Sequence, residues 1–109
     1  MESRAKRLAL NEAAFRVANE RAKDWEERHR EVETELYLCE CGNLSCPERI
    51  ALSREAYEAV RSDPRRFFCA PGHQITDVET VIERHEQYVV VEKDPEVTQL
   101  VTETDPRRD

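Results

Sequence analysis

The chain has 109 residues, with 17 Lys and Arg against 24 Asp and Glu and a net charge of −7. That length suits one domain around one modest core, and no apolar run approaches the roughly 18 residues that a membrane span needs. Residues 1–30 carry 8 basic and 6 acidic side chains and residues 31–109 carry 9 and 18, so the body lacks the clustered positive charge that nucleic-acid phosphates require.

The N-terminus has neither the apolar stretch nor the small-residue cleavage site of a secretory signal. This points to a cytoplasmic protein, where four cysteines serve as metal ligands or reactive thiols rather than disulfides. Residues 3–31 contain no Gly or Pro and predict one long helix. Leu8, Phe15 and Ala22 recur every seven residues, with Asn11, Ala18 and Trp25 at the offset positions. Such a stripe packs on the chain's own core or pairs with another helix. Leu8, Phe15, Ala22 and Trp25 are therefore the candidate face for a protein partner or for self-association.

Glu35–Cys39 predicts a strand and Ile50–Leu52 a short second one. Ser53 predicts an N-cap for a helix over Arg54–Ser62 with Ala56, Tyr57 and Val60 inward, ended by Asp63-Pro64. Phe67–Cys69 predicts an extended run and Pro71-Gly72 a turn. Residues 77–87 send two signals: Thr76 and Glu79 resemble a helix capping box, whereas Thr80–Ile82 and Tyr88–Val91 are β-formers. The favoured reading is a hairpin of Glu79–Arg84 with Tyr88–Lys93, then a short helix over Glu96–Thr102. The fold class expected is α+β: a long N-terminal helix (1–31), a small, mainly antiparallel sheet with one or two short helices stapled by a metal knuckle (32–105), and a mobile tail (106–109).

Cys39-x-Cys41-x4-Cys46 carries the chemistry. Three thiolates within eight residues reach one ion only if the chain folds back on itself, and thiolates are the ligands of tetrahedral zinc sites. Gly42-Asn43 predicts the turn, since both residue types tolerate positive φ. The chain has two glycines, and each stands next to a proposed ligand: Gly42 follows Cys41 and Gly72 precedes His73. The fourth ligand comes from Cys69-Ala-Pro-Gly-His73. His73 is favoured because Pro71-Gly72 presents it on a turn; Cys69, in an apolar run, is the alternative. Zinc is the expected ion, with iron or an iron–sulfur cluster the alternative. Glu40 and Glu48, beside the ligands, are read as solvated surface charges, as are His29 and His85.

The segments NEAAFRVANER, LCECGNLSCPERIALSREAYEAVR, DPRRFFCAPGH, YVVVEK and TDPR together resemble a family of small uncharacterised bacterial proteins with a CxCx4C … PGH metal-binding motif. The resemblance spans nearly the whole chain. It implies that Cys39, Cys41, Cys46 and His73 belong to the motif and that the position of Cys69 varies; it implies no activity.

Three classes of function compete. A closed site of three cysteines and one histidine suits a structural zinc in a protein-interaction or regulatory module. Alternatively, the cysteines form a redox- or metal-responsive regulator, with Cys69 as resolving thiol. An enzyme is disfavoured, because no nucleophile–base pair and no open metal position is legible.

Overall fold

The computed structural model describes residues 3–28 and 34–107, with the side chains of 22–28 and 34 left aside. The fold is α+β. Helix α1 spans Arg4–Arg28 and starts where the Ser3 hydroxyl accepts from Lys6 N–H at 3.1 Å, an N-cap that satisfies one orphan donor of the first turn. Strands β1 (Thr34–Leu38) and β2 (Arg49–Ser53) form an antiparallel pair in which Tyr37 faces Ile50. Helix α2, Arg54–Arg61, follows at once, capped by Ser53 Oγ accepting from Ala56 N–H at 3.1 Å. Its inward residues are Tyr57, Val60 and Arg61, with Ala56 half-buried.

Strands β3 (Arg66–Cys69), β4 (Glu79–Arg84) and β5 (Val89–Lys93) form a second antiparallel sheet in the order β3-β5-β4. Residues 79–84 are thus strand. The Thr76/Glu79 signal has another physical origin: the Glu79 carboxylate accepts from Ile75 N–H at 3.0 Å and closes a turn instead of starting a helix. A single 3-10 turn, Pro95–Val97, leads into α3, Thr98–Glu103. Tyr37 of β1 stacks on Tyr57 of α2 at 4.3 Å, and both meet Phe68 of β3 edge-on at 6.2 and 6.1 Å. This trio joins the two sheets and α2 in one core.

Helix α1 buries a face that differs from the expected stripe. Its buried residues are Ala5, Ala9, Glu12, Ala13, Arg16, Asn19 and Glu20. Leu8 and Phe15 lie at the margin, half-buried against the core, and Ala18 is exposed. The side chains of Ala22 and Trp25 and the expected helix end at 29–31 lie outside the described residues. The buried face is alanine plus charge, so its polar members are partnered rather than apolar. Lys93 Nζ lies 2.7 Å from Glu12 Oε2 and 2.9 Å from Glu79 Oε1, all three groups out of solvent. Arg16 donates to the carbonyls of Pro64 (2.6 Å) and Val101 (2.7 Å) and lies over the Phe67 ring. Glu20 accepts from Tyr57 Oη and from Arg107. Of the expected tail, Arg107 is described, and it also pairs with Glu58 at 2.7 Å; residues 108 and 109 lie outside the described residues. No described helix is long and apolar enough to cross a membrane.

Candidate metal centre

The chain leaves β1 at Leu38 and at once supplies Cys39 and Cys41. Beyond Gly42 it turns on Asn43, whose carbonyl accepts from Cys46 N–H at 3.0 Å and whose side-chain Oδ1 accepts from Ser45 N–H at 3.0 Å. That turn carries Cys46 back toward Cys39. The fourth group arrives from the loop after β3: His73 N–H donates to Ala70 O at 3.0 Å across a turn, with Gly72 at φ 91°. A side chain at that φ would be strained, so glycine is required there.

The three cysteine sulfurs and one nitrogen of His73 lie within 4.8 Å of one another. His73 Nδ1 is 3.6 Å from Cys39 Sγ and 3.5 Å from Cys46 Sγ. A tetrahedral ion held about 2.3 Å from sulfur and about 2.0–2.1 Å from nitrogen separates neighbouring sulfur and nitrogen donors by about 3.6 Å. The four donors thus stand as the corners of a cage of metal-binding size, with Nδ1 the nitrogen turned toward it. The cysteines are buried and His73 is half-buried.

Electrostatics favour anionic sulfur at Cys41. Cys39 Sγ accepts from Ala70 N–H at 3.2 Å, whereas burial pushes the Cys46 thiol up against the pull of a backbone hydrogen bond with Glu48. Cys41 is drawn down to about 5, first by its hydrogen bond from Cys39. The Cys39 thiol is pushed up by that same bond and by burial. One sulfur therefore holds negative charge while its neighbours donate to it, an arrangement that a cation would complete.

Cys69 is buried on β3 opposite Val89 and is not one of the four clustered donors. Burial, then the nearby Glu79 charge, push its thiol up. His85 is exposed, stacked on Tyr88 and 2.9 Å from Glu83; His29 lies outside the described residues. Glu48 is exposed.

Two expectations about this loop need correction. Glu40 is a fully buried group and no surface charge. It accepts from Asn19 Nδ2 at 3.0 Å, and burial pushes it up to about 7 against the pull of Asn19, Arg16 and Arg61. Gly42 and Asn43 both keep negative φ. Gly42 is needed for a close approach: a Cβ there would lie 2.5 Å from Leu8 Cδ2 and 3.2 Å from Ile75 Cδ1.

Sequence reading missed the residues that brace the knuckle from α1. Asn19 Oδ1 accepts from Leu38 N–H at 2.7 Å and its Nδ2 donates to Leu38 O at 2.9 Å. Asn11 Nδ2 donates to Gly42 O at 2.7 Å. Residues 39 and 41 thus face the donor cage, and residues 38, 40 and 42 meet the helix. The signal for this was the alternation C-x-C itself, which leaves every second residue free for another neighbour. No family model, no curated protein and no solved structure matches this chain.

Proposed function

We propose that this is a small zinc-binding protein whose ion is structural and whose fold serves as a protein-interaction or regulatory module. The observation that carries this reading is the set of four donors within 4.8 Å of one another, three sulfurs and an imidazole Nδ1. Soft thiolates select zinc or iron over magnesium or calcium. Four protein donors fill a tetrahedron and leave no position for a reacting water, which separates structural from catalytic zinc. In the bound state the ion supplies charge neutralisation and a crosslink between the 39–46 loop and the 70–73 turn.

The test is elemental analysis of protein purified without a metal-affinity tag, beside His73→Ala and Cys69→Ala. We expect one zinc per chain in wild type and Cys69→Ala and its loss in His73→Ala. Wild type without metal would sink the reading, and iron with visible absorbance would replace zinc by an iron centre. The interaction role is tested separately with Trp25→Ala: an unchanged oligomeric state and unchanged partner capture, with zinc retained, would remove association through the N-terminal helix.

A further inference from the structure

We infer that metal binding and docking of the first turns of α1, about Arg4 to Asn11, are coupled, so that loss of the ion releases this end of the helix. The inference rests on the zinc reading and adds a mode of regulation to it. In the 38–42 segment, ligands and helix contacts alternate along the chain. Cys39 and Cys41 turn to the donor cage, while Leu38, Glu40 and Gly42 receive Asn19, Asn19 again and Asn11. Leu8 closes on Gly42 so tightly that a Cβ would stand 2.5 Å from it. Any shift of the Cys39–Cys41 backbone is therefore a shift of the surface on which Leu8 and Asn11 rest.

The base of the knuckle is closed by Cys39 N–H donating to Glu48 O at 3.2 Å and tied to β3 by Glu40 N–H donating to Phe68 O at 2.9 Å, while its tip is open to solvent. Asn43, Leu44 and Ser45 are exposed, as are Pro47, Glu48 and Arg49. The turn at Asn43 is bonded within itself to Ser45 and Cys46, so the ion is what would fasten 41–46 to the 70–73 turn. The far part of α1 touches the same segment through Asn19 but has further anchors away from it. Arg16 is tied to Pro64 and Val101, Glu20 to Tyr57 and Arg107, and Glu12 to Lys93. The early turns bury Ala5 and Ala9 in the core, small side chains that add little apolar area. Beside them stand the Leu8 and Asn11 contacts and one exposed ion pair, Arg4 with Asp77, of a kind that contributes little. Short helical segments without tertiary support do not persist in water. Metal loss is thus expected to act on one end of one helix, and coupling is reciprocal: the factor by which the ion favours docking is the factor by which docking favours the ion, so a mutation that undocks this end weakens metal binding by up to that factor.

The experiment is hydrogen exchange read by mass spectrometry on the full chain, zinc-loaded and after chelation, with metal content measured on the same samples. We expect residues 4–11 to exchange about fivefold faster or more without metal, while residues 16–20 and the β4–β5 hairpin keep their protection. Asn11→Ala, and separately Leu8→Ala, should weaken zinc binding by about fivefold or more in competition with a chromophoric chelator. Equal protection of 4–11 in both states, with zinc bound and removed, would overturn the coupling while leaving the metal site standing. Loss of protection by all elements together would also overturn it, since the ion would then hold the whole fold and not the helix end. Wild type that takes up no zinc would sink both this inference and the reading beneath it.

Discussion

At the scale of single residues the chain stores unusual charge in its interior. Glu12 and Glu79 share one ammonium, Lys93, where none of the three meets solvent. Neutrality with two carboxylates and one ammonium requires a proton, and Glu12 holds it: burial, and then the charge of Glu79, push it up from 4.5 to about 9. The unfolded chain gives up this proton near 4.5, so between 4.5 and about 9 the folded state binds more protons and stability falls as pH rises. Glu12→Gln keeps the neutral form at every pH. Its stability relative to wild type should therefore be near equal at pH 4 and rise steadily to pH 9, as read by urea denaturation; a constant difference would show that Glu12 is ionised in the fold. Gly42→Ala is the second residue-scale prediction. The new methyl meets Leu8 and Ile75, and overpacking of this kind costs about 1–3 kcal/mol. The cost should shrink when Leu8→Ala is made as well, because the two sites are in contact.

Among the elements, α2 and α1 make an instructive contrast. Most of α2 was legible, with Ser53 as cap, Tyr57 and Val60 inward and Asp63-Pro64 as stop, though not the burial of Arg61. Ser53→Ala should lower stability by about 1 kcal/mol, measured by thermal denaturation, and Ser53→Asp should restore most of it. Helix α1 was legible as a helix, but the face it buries was not. The sequence pattern marks apolar residues, and a buried face of alanine, Glu12, Arg16, Asn19 and Glu20 carries almost no hydropathy contrast. Those side chains are buried because partners from β1, β5, α2 and the C-terminal segment meet them, and those partners are 19 to 87 residues away. The hairpin of β4 with β5 was the favoured reading and is present; the pairing that the pattern did not show is that β5 takes β3 on its other side.

For the molecule as a whole, the C-terminal segment closes back on α1 at Glu20. Arg107 reaches Glu20 from α1 and Glu58 from α2, and Arg61 joins Asp105 to the same cluster. Arg107→Ala would leave the Glu20 carboxylate with fewer donors in a mostly buried position. A loss of about 1–3 kcal/mol is expected for a hydrogen bond to a charged group, read as a lower unfolding midpoint with zinc content unchanged. A ligand that binds only the folded chain also raises stability by mass action. The midpoint should therefore climb with free zinc, reaching about 2.7 kcal/mol of added stability at a hundredfold excess over Kd, and fall on chelation. A midpoint indifferent to zinc would mean that the cage forms no tight complex.

By itself the sequence determined local matters: where α2 starts and stops, which segments are extended, and that Cys39, Cys41 and Cys46 share a tight loop, whereas the C-terminal helix expected over Glu96–Thr102 is Thr98–Glu103 after a 3-10 turn. The former depend on caps, turn residues and spacing over a few positions, and such short-range physics is written in the order of the residues. That His73, 27 residues after Cys46, turns Nδ1 to the cage was legible as a candidate through its Pro-Gly turn and became definite only in three dimensions. The tertiary structure alone decided that Glu40 is buried, that Gly42 gives way to Leu8, and that asparagines on α1 hold the ligand-bearing strand. Each of these follows from close packing between distant segments, where a polar side chain is buried only because another segment brings its partner.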